Sequence, residues 1–325
     1  MSARPSLDQI RACSNLISDH VIRTPTVPYY GEDLTNLLGP KTRVSLKLEL
    51  LQRTGSFKPR GAINVVLHLS EEEKSRGITA LSAGNHAIAT AYAARAFGLS
   101  VKVVMPITAN PFRVARCQAL GAEIIFADDM DGLFGAVEKL QQEEGRVMVH
   151  PFEGPHTFAG TGTVGLEFME DAKDLEAVIV PIGGGGLISG ISSAVKQINP
   201  NCKVYGVEPE LARGMSDSLA AGKAIEKVAI SSIADSLSAP FHTSGAFEII
   251  RENVDEVVTI SDSEMVSCMK LMFTDLKLAV EPAGASALAA LLGPLRDRCA
   301  GKHVGVLVCG TNIDQTTYQK FTGSA

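Results

Sequence analysis

Lys58 stands in the run Gln52-Arg53-Thr54-Gly55-Ser56-Phe57-Lys58-Pro59-Arg60-Gly61-Ala62, between a strand-like stretch and a helix-like one. Pro59 suits the first helical turn, because proline lacks only an amide hydrogen that has no intrahelical partner there. Lys58 is therefore expected at a helix start, where the positive end of the helix dipole disfavours its charged form. A lysine that deprotonates easily can act as a Schiff-base nucleophile. The competing reading of any single lysine is a solvated surface side chain.

Two further turns carry chemistry. Ile78-Thr79-Ala80-Leu81-Ser82-Ala83-Gly84-Asn85-His86 reads as a strand entering a helix, with backbone amides able to grip a carboxylate. Ser82 or Asn85 could equally serve as an ordinary helix cap, and His86 as a hydrogen-bonded structural histidine. Ala177-Val178-Ile179-Val180-Pro181-Ile182 then runs into Gly183-Gly184-Gly185-Gly186-Leu187. Four glycines between an apolar strand and a helix expose several amides at once, as a phosphate site requires. The segment does not say what carries the phosphate. Gly184, Gly186 and Gly190 also fit a loose dinucleotide fingerprint, with Glu208 where a ribose-binding acid would stand.

The elements around these turns alternate. Strands are expected over residues 44–50, 78–81, 101–105, 123–126, 147–149, 177–182, 203–207, 256–260 and 304–308. Helices are expected over 85–97, 111–120, 132–144, 161–169, 187–197 and 263–275. Strand and helix in turn is the rhythm of βαβ units, so the fold class is α/β with mostly parallel sheets. No linker composition, fixed-period repeat or low-complexity tract marks a domain boundary.

The chain has 325 residues, a net charge of −6, 45% hydrophobic and 20% charged residues. That balance describes a folded globular protein and argues against nucleic acid as a partner, which calls for a basic patch. The N-terminal stretch carries Arg4, Asp8, Arg11 and Asp19 and resembles no signal peptide, and no apolar run approaches membrane-spanning length. A cytoplasmic protein without membrane association is expected. Six scattered cysteines form no C-x-x-C pair, so they read as reduced thiols rather than disulfides or zinc ligands.

Taken in order, T-G-S-F-K-P-R-G-A around Lys58, S-A-G-N-H from Ser82 and G-G-G-G-L from Gly183 closely resemble the fold-type II pyridoxal phosphate (PLP) enzymes. The likeness is to the serine/threonine dehydratase and serine racemase group, and runs from Arg23-Thr24-Pro25 to Cys309-Gly310-Thr311-Asn312. It implies a tryptophan synthase β-like architecture of two open, mostly parallel α/β domains with PLP between them. Residues 1–74 and 151–325 would form the larger domain and residues 75–150 a smaller inserted one. The resemblance makes Lys58 the catalytic residue that carries PLP, with Phe57 beside the ring. Gly183, Gly184, Gly185, Gly186 and Leu187 would hold the phosphate, Asn85 the 3′-oxygen, and Cys309 would face the pyridine nitrogen. Glu281, in Glu281-Pro282-Ala283-Gly284-Ala285, matches a segment near the cofactor, although it could instead cap the next helix.

For the substrate, the resemblance points to Ser56, Ser82, Ala83, Gly84, Asn85 and His86, with Asp235 and Ser236 toward the pocket. The implied reaction is elimination of water from a β-hydroxy amino acid, giving a 2-keto acid and ammonia. Serine or threonine leads as substrate, with 3-phenylserine, 3-hydroxyaspartate and a hydroxyectoine-derived amino acid as alternatives. A serine racemase with side dehydratase activity also remains, although the racemases have serine at position 83, and the methyl group of Ala83 donates no proton. A catalytically silent cofactor binder and a nicotinamide-dependent dehydrogenase are the readings from other classes. Ile88 stands where the family often has glutamine. Glu208 and Ala212 resemble the start of a divalent-cation site, but Gly214 replaces its second carboxylate and leaves the ligand set short. The family's habit of dimerisation implies a homodimer.

Overall fold

The computed structural model describes residues 4–29 and 31–323. Its strands form two sheets. The larger has the order β1-β2-β10-β7-β8-β9, with β1 Thr26–Pro28, β2 Arg43–Lys47, β7 Ala177–Pro181, β8 Lys203–Pro209, β9 Glu256–Ile260 and β10 His303–Leu307. The smaller has the order β5-β4-β3-β6, from β3 Ile78–Leu81, β4 Val101–Pro106, β5 Glu123–Ala127 and β6 Val147–Met148. Every pairing is parallel except β1 with β2. The expected α/β class is the one observed. β7 and β10 are buried along their whole length, as strands covered by helices on both faces must be.

Three local differences have physical causes. β1 is a three-residue antiparallel edge between Pro25 and Pro28, too short and too proline-rich to show an alternation. The strand expected over 44–50 stops at Lys47, and Glu49–Leu51 turns as a 3-10 helix that starts the lysine loop. The helix expected from residue 161 begins at Pro155 and runs to Asp171. Its glycines hide it from a propensity reading, yet packing demands them. A Cβ on Gly160 would lie 2.4 Å from the Arg60 carbonyl oxygen, and one on Gly165 2.9 Å from that of Ile191. Helix Pro155–Asp171 thus presses its backbone against both Pro59–Leu67 and Gly186–Ile198, the two helices that open at the lysine and glycine turns.

A buried ionic cluster locks this junction. Arg60 donates through Nε and Nη2 to Glu49 at 2.9 and 2.8 Å, and through Nη1 and Nη2 to Glu167 at 2.7 and 2.9 Å. Lys47 reaches Glu167 at 2.8 Å. Removing one member strands a buried charge, a loss of about 3–5 kcal/mol. All six cysteines are free and buried. Among the described residues, no helix is long and apolar enough to cross a membrane.

Candidate active site

The lysine turn is stitched to the chain leaving β10. Phe57 N donates to the Cys309 carbonyl at 3.2 Å, Thr311 N to that of Gly55 at 2.9 Å, and Ser56 bridges Gly310. Lys58 is the cap residue of helix Pro59–Leu67, as its place before proline suggested. Its Nζ donates to the Pro151 carbonyl at 2.6 Å. Burial pushes the amine down to about 8, against the opposing pull of Cys309 and Glu281. Desolvation, rather than the helix end invoked from sequence, is thus the principal cause, and it raises the neutral fraction near neutrality far above that of an exposed lysine.

Gly183 to Gly186 follow β7 and open helix Gly186–Ile198, whose first turn has no side-chain cap. Gly185 has φ +92°, a conformation that favours glycine. A Cβ on Gly184 would fall 2.2 Å from Phe152 Cγ, and one on Gly186 2.6 Å from the Phe152 carbonyl oxygen. The backbone itself is therefore the surface this loop presents, with helix-start amides turned to an anion. Phe57, Lys58, Asn85, Leu187, Glu281 and Cys309 line the same recess as the four glycines, and Ser236 joins them.

Asn85 ties the recess together. Its amide donates to Glu281 Oε1 at 2.6 Å, while its carbonyl oxygen accepts from Asn312 Nδ2 at 2.6 Å. Glu281 Oε2 is buried with no hydrogen-bond partner among the described residues, and Arg113 Nη2 lies 4.0 Å away. Burial pushes the Glu281 carboxyl up to about 7, opposed by Arg113. Desolvation likewise drives the Cys309 thiol well above its ordinary value. Ser56 Oγ, within the lysine turn, is a second buried polar atom without a partner among the described residues.

A larger cavity of about 380 Å³ opens outward from Lys58. Ser82, Ala83, Gly84, Asn85 and His86 form one side, and Asp235 and Ser236 another. Helix Asn85–Ala96 starts without a side-chain cap; Ser82 Oγ instead accepts from Gly84 N at 3.1 Å. His86 is structural through its ring: Nε2 pairs with the Val149 carbonyl at 2.7 Å, and burial pushes the imidazole down to about 3. Asp235 pairs with Arg113, whose Nη2 also donates to the Asn312 carbonyl at 3.1 Å.

Glu208 and Ala212, which resemble the start of a divalent-cation site, lie beside the start of helix Gly214–Ala221. Glu208 spends its oxygens on the start of helix Gly214–Ala221, accepting from Met215 N at 2.7 Å, Ser216 N at 2.8 Å and Ser216 Oγ at 2.7 Å. Ala212 is buried in a neighbouring 3-10 turn. No group of three or more His, Cys, Asp or Glu suited to a metal occurs among the described residues. The same bonds remove Glu208 from the ribose role of the dinucleotide reading.

Sequence reading passed over His150, Pro151 and Phe152, which follow β6 and wall the lysine, together with Arg113, Phe134 and Phe241. One signal was available: His150 to Phe152 leave the C-terminal end of a parallel strand, where α/β sheets place ligands. The site's own chemistry fits PLP. It offers an easily neutralised lysine, a glycine-only amide cradle at a helix start, a thiol, and an unpartnered carboxylate oxygen within one recess.

Comparison with known proteins agrees. The family model described as "Pyridoxal-phosphate dependent enzyme" matches residues 17–310. The chain is 50% identical over 284 residues to a phenylserine dehydratase of Ralstonia pickettii, covering 87% of each chain. It is 40% identical to an L-threonine ammonia-lyase of Thermotoga maritima, over 95% of this chain and 76% of that one. The structure of maize serine racemase superposes with a TM-score of 0.91 at 35% identity, covering 98% of this chain and 96% of that one. The chain belongs to the pyridoxal phosphate-dependent enzymes of fold type II, in the group that contains the serine/threonine dehydratases and serine racemases.

Proposed function

We propose that the protein removes water from a β-hydroxy amino acid bearing a large apolar, aryl-type β-substituent, such as 3-phenylserine, yielding a 2-keto acid and ammonia. The supporting observation is the outer wall of the cavity. Met130, Phe134 and Ile230 line it while 45%, 42% and 43% exposed, and Phe241 meets Phe134 at 6.2 Å and Phe152 at 5.6 Å between ring centroids. Apolar surface left wet at the mouth of a polar-floored pocket is covered favourably by an aryl group, at about 25 cal/mol per Å². The 50% identity to a phenylserine dehydratase points the same way.

In this reading the amides of Gly183 to Leu187 would hold the cofactor phosphate, Lys58 Nζ would carry the cofactor, and Asn85 would bind its 3′-oxygen. Phe57 and Glu281 would border the space the ring takes. PLP, when bound, supplies an electron sink for the pair released at the substrate Cα. Lys58 Nζ, whose charged form desolvation disfavours, takes the α-proton once neutral. Cys309 would offer the ring nitrogen a thiol that burial keeps protonated, a weak donor that would not add a full positive charge there. The amides following Ser82, Ala83 and Gly84 receive the substrate carboxylate, and Ser56, His86, Asp235 and Ser236 shape its surroundings. Ala83 brings no second proton donor to Cα, which favours elimination over racemisation.

Release of keto acid from L-threo-3-phenylserine, L-serine and L-threonine tests the proposal. A kcat/KM for phenylserine roughly tenfold or more above the other two is expected, the size of discrimination an apolar pocket provides. A preference for threonine would establish the second reading, which the 40% identity to an L-threonine ammonia-lyase favours. A division at residues 75–150, a homodimer and a cytoplasmic site belong to the same proposal; the four-stranded sheet, drawn wholly from residues 78–148, supports the first of these.

A further inference from the structure

Two histidines line the outer cavity, and they differ in what their rings have left to offer. His86 Nε2 is taken by the Val149 carbonyl. His150 is held from its other nitrogen: Nδ1 accepts the backbone amides of Glu153 at 3.0 Å and Phe152 at 3.3 Å. An imidazole nitrogen that accepts two amides carries no hydrogen, so the ring proton of His150 sits on Nε2. The ring is clamped edge-on against Phe152, with centroids 4.7 Å apart and planes at 88°, and it meets Phe241 at 6.4 Å. Burial, and after it the charge of Lys58, push the imidazole down to about 4, so it stays neutral in working conditions.

His150 lines the cavity together with Lys58, and Lys58 Nζ donates to the carbonyl of Pro151, the very next residue. Phe241, which contacts both His150 and Phe134, carries the wall onward to the exposed apolar mouth. A substrate whose Cα faces Lys58 and whose side chain lies toward Phe241 must pass its β-carbon between them, beside His150.

We propose that His150 is a further catalytic residue: its Nε2–H donates a hydrogen bond to the substrate's β-hydroxyl oxygen and steadies that oxygen as the Cβ–O bond breaks. This rests on the dehydration reading above, but not on the aryl preference. The α-proton moves to Lys58 Nζ, the electron pair of the broken Cβ–O bond leaves with oxygen, and Lys58 Nζ hands the proton it took on to that oxygen, which departs as water while Cα and Cβ become doubly bonded. One proton leaves Cα and one enters the water, so the count closes without His150 changing its charge. A preorganised donor aimed at developing negative charge is worth roughly a hundredfold in rate.

The test pairs L-serine with L-3-chloroalanine, whose chloride departs without a proton or a hydrogen-bond donor. In the PLP-loaded His150→Leu enzyme, kcat with serine should fall roughly a hundredfold, while kcat with chloroalanine and the absorbance and amount of bound PLP stay at wild-type values. His150→Gln, which keeps a donor, should recover part of the loss with serine only, and it provides the same ratio should the leucine variant not fold. An equal fall with both substrates would show that the ring merely props Lys58, and no fall with serine would show that it plays no part; either overturns the inference. A wild-type enzyme that releases keto acid from chloroalanine and from no β-hydroxy amino acid overturns the dehydration reading itself.

Discussion

The inner and outer halves of this cavity are built on different principles. The inner half is made of backbone and buried groups: four glycines, Lys58, Cys309, Asn85 and Glu281, all at strand ends or helix starts of packed elements. Little in it can move without collision, since Gly184 and Gly186 lie against Phe152. The outer half is made of side chains on a surface helix, Met130–Glu144, and on a stretch around residues 230–241 without long regular structure. Its apolar groups are wet. The contrast separates a part that serves one cofactor, whatever the substrate, from a part that can be retuned without disturbing the chemistry.

Breaking the inner half should have the largest effects. Lys58→Ala removes both the attachment of PLP and the α-proton acceptor, so kcat/KM should fall roughly ten-thousandfold for every substrate alike. Borohydride reduction followed by peptide mapping checks the attachment: a pyridoxyl group on Lys58 in the wild type and none at that peptide in the variant. Gly184→Ala comes next. Its added methyl lands on the Phe152 ring, an overpacking cost of about 1–3 kcal/mol, and equilibrium dialysis should show PLP held roughly tenfold to a hundredfold more weakly. Neither change should alter the preference between phenylserine and serine. A shift in that preference would mean that the two halves are not separable.

The same division explains what could be read before the structure. Lys58, Ser82 to His86 and Gly183 to Leu187 stood out because each is a short local run at a strand-to-helix turn, where backbone conformation demands particular residue types. β3 and β9 were legible to the residue, as apolar runs between clear turns. What escaped is contributed one residue at a time. Phe134 and Phe241 are ordinary apolar positions until the fold brings them within 6.2 Å, and Arg113 acquires meaning only beside Asp235 and Glu281. Glu208 shows the reverse: its local motif suggests a ligand, and what the motif does not tell is that the carboxylate accepts from Met215 N at the start of a helix six residues later. Helix Pro155–Asp171 was placed late because glycines that lower propensity are the ones that let three helices touch.

In the outer half, Phe241→Ala should lower kcat/KM for 3-phenylserine about tenfold through lost ring contact and leave serine turnover unchanged. Phe134→Ala, at the more exposed rim, should act in the same direction and less. Parallel loss with both substrates would place these rings in support of the inner half and undo the comparison.

The smallest expected effect concerns two carboxyls that burial pushes to the same value in different hydrogen-bonding surroundings. Glu281 and Glu208 both sit at about 7, above the unfolded value of about 4.3. Between those two points the folded protein holds protons that the unfolded chain releases, so each group makes stability fall as pH rises from about 4.3 to 7. At pH 8 Glu281 carries a buried charge with one oxygen unpartnered, whereas Glu208 has three donors around it. In cofactor-free protein, Glu281→Gln should therefore leave Tm unchanged at pH 4 and raise it at pH 8, because glutamine imitates the protonated acid. Glu208→Gln should lower Tm at both pH values, since an amide presents only one acceptor to the donors of Met215 and Ser216, and by less at pH 8, where the wild-type carboxyl has lost the proton that the fold prefers. Thermal melts of both variants at the two pH values check the pair. Opposite signs at pH 8 would mark Glu281 as a group kept at a cost to stability for the recess it lines and Glu208 as one kept for the fold.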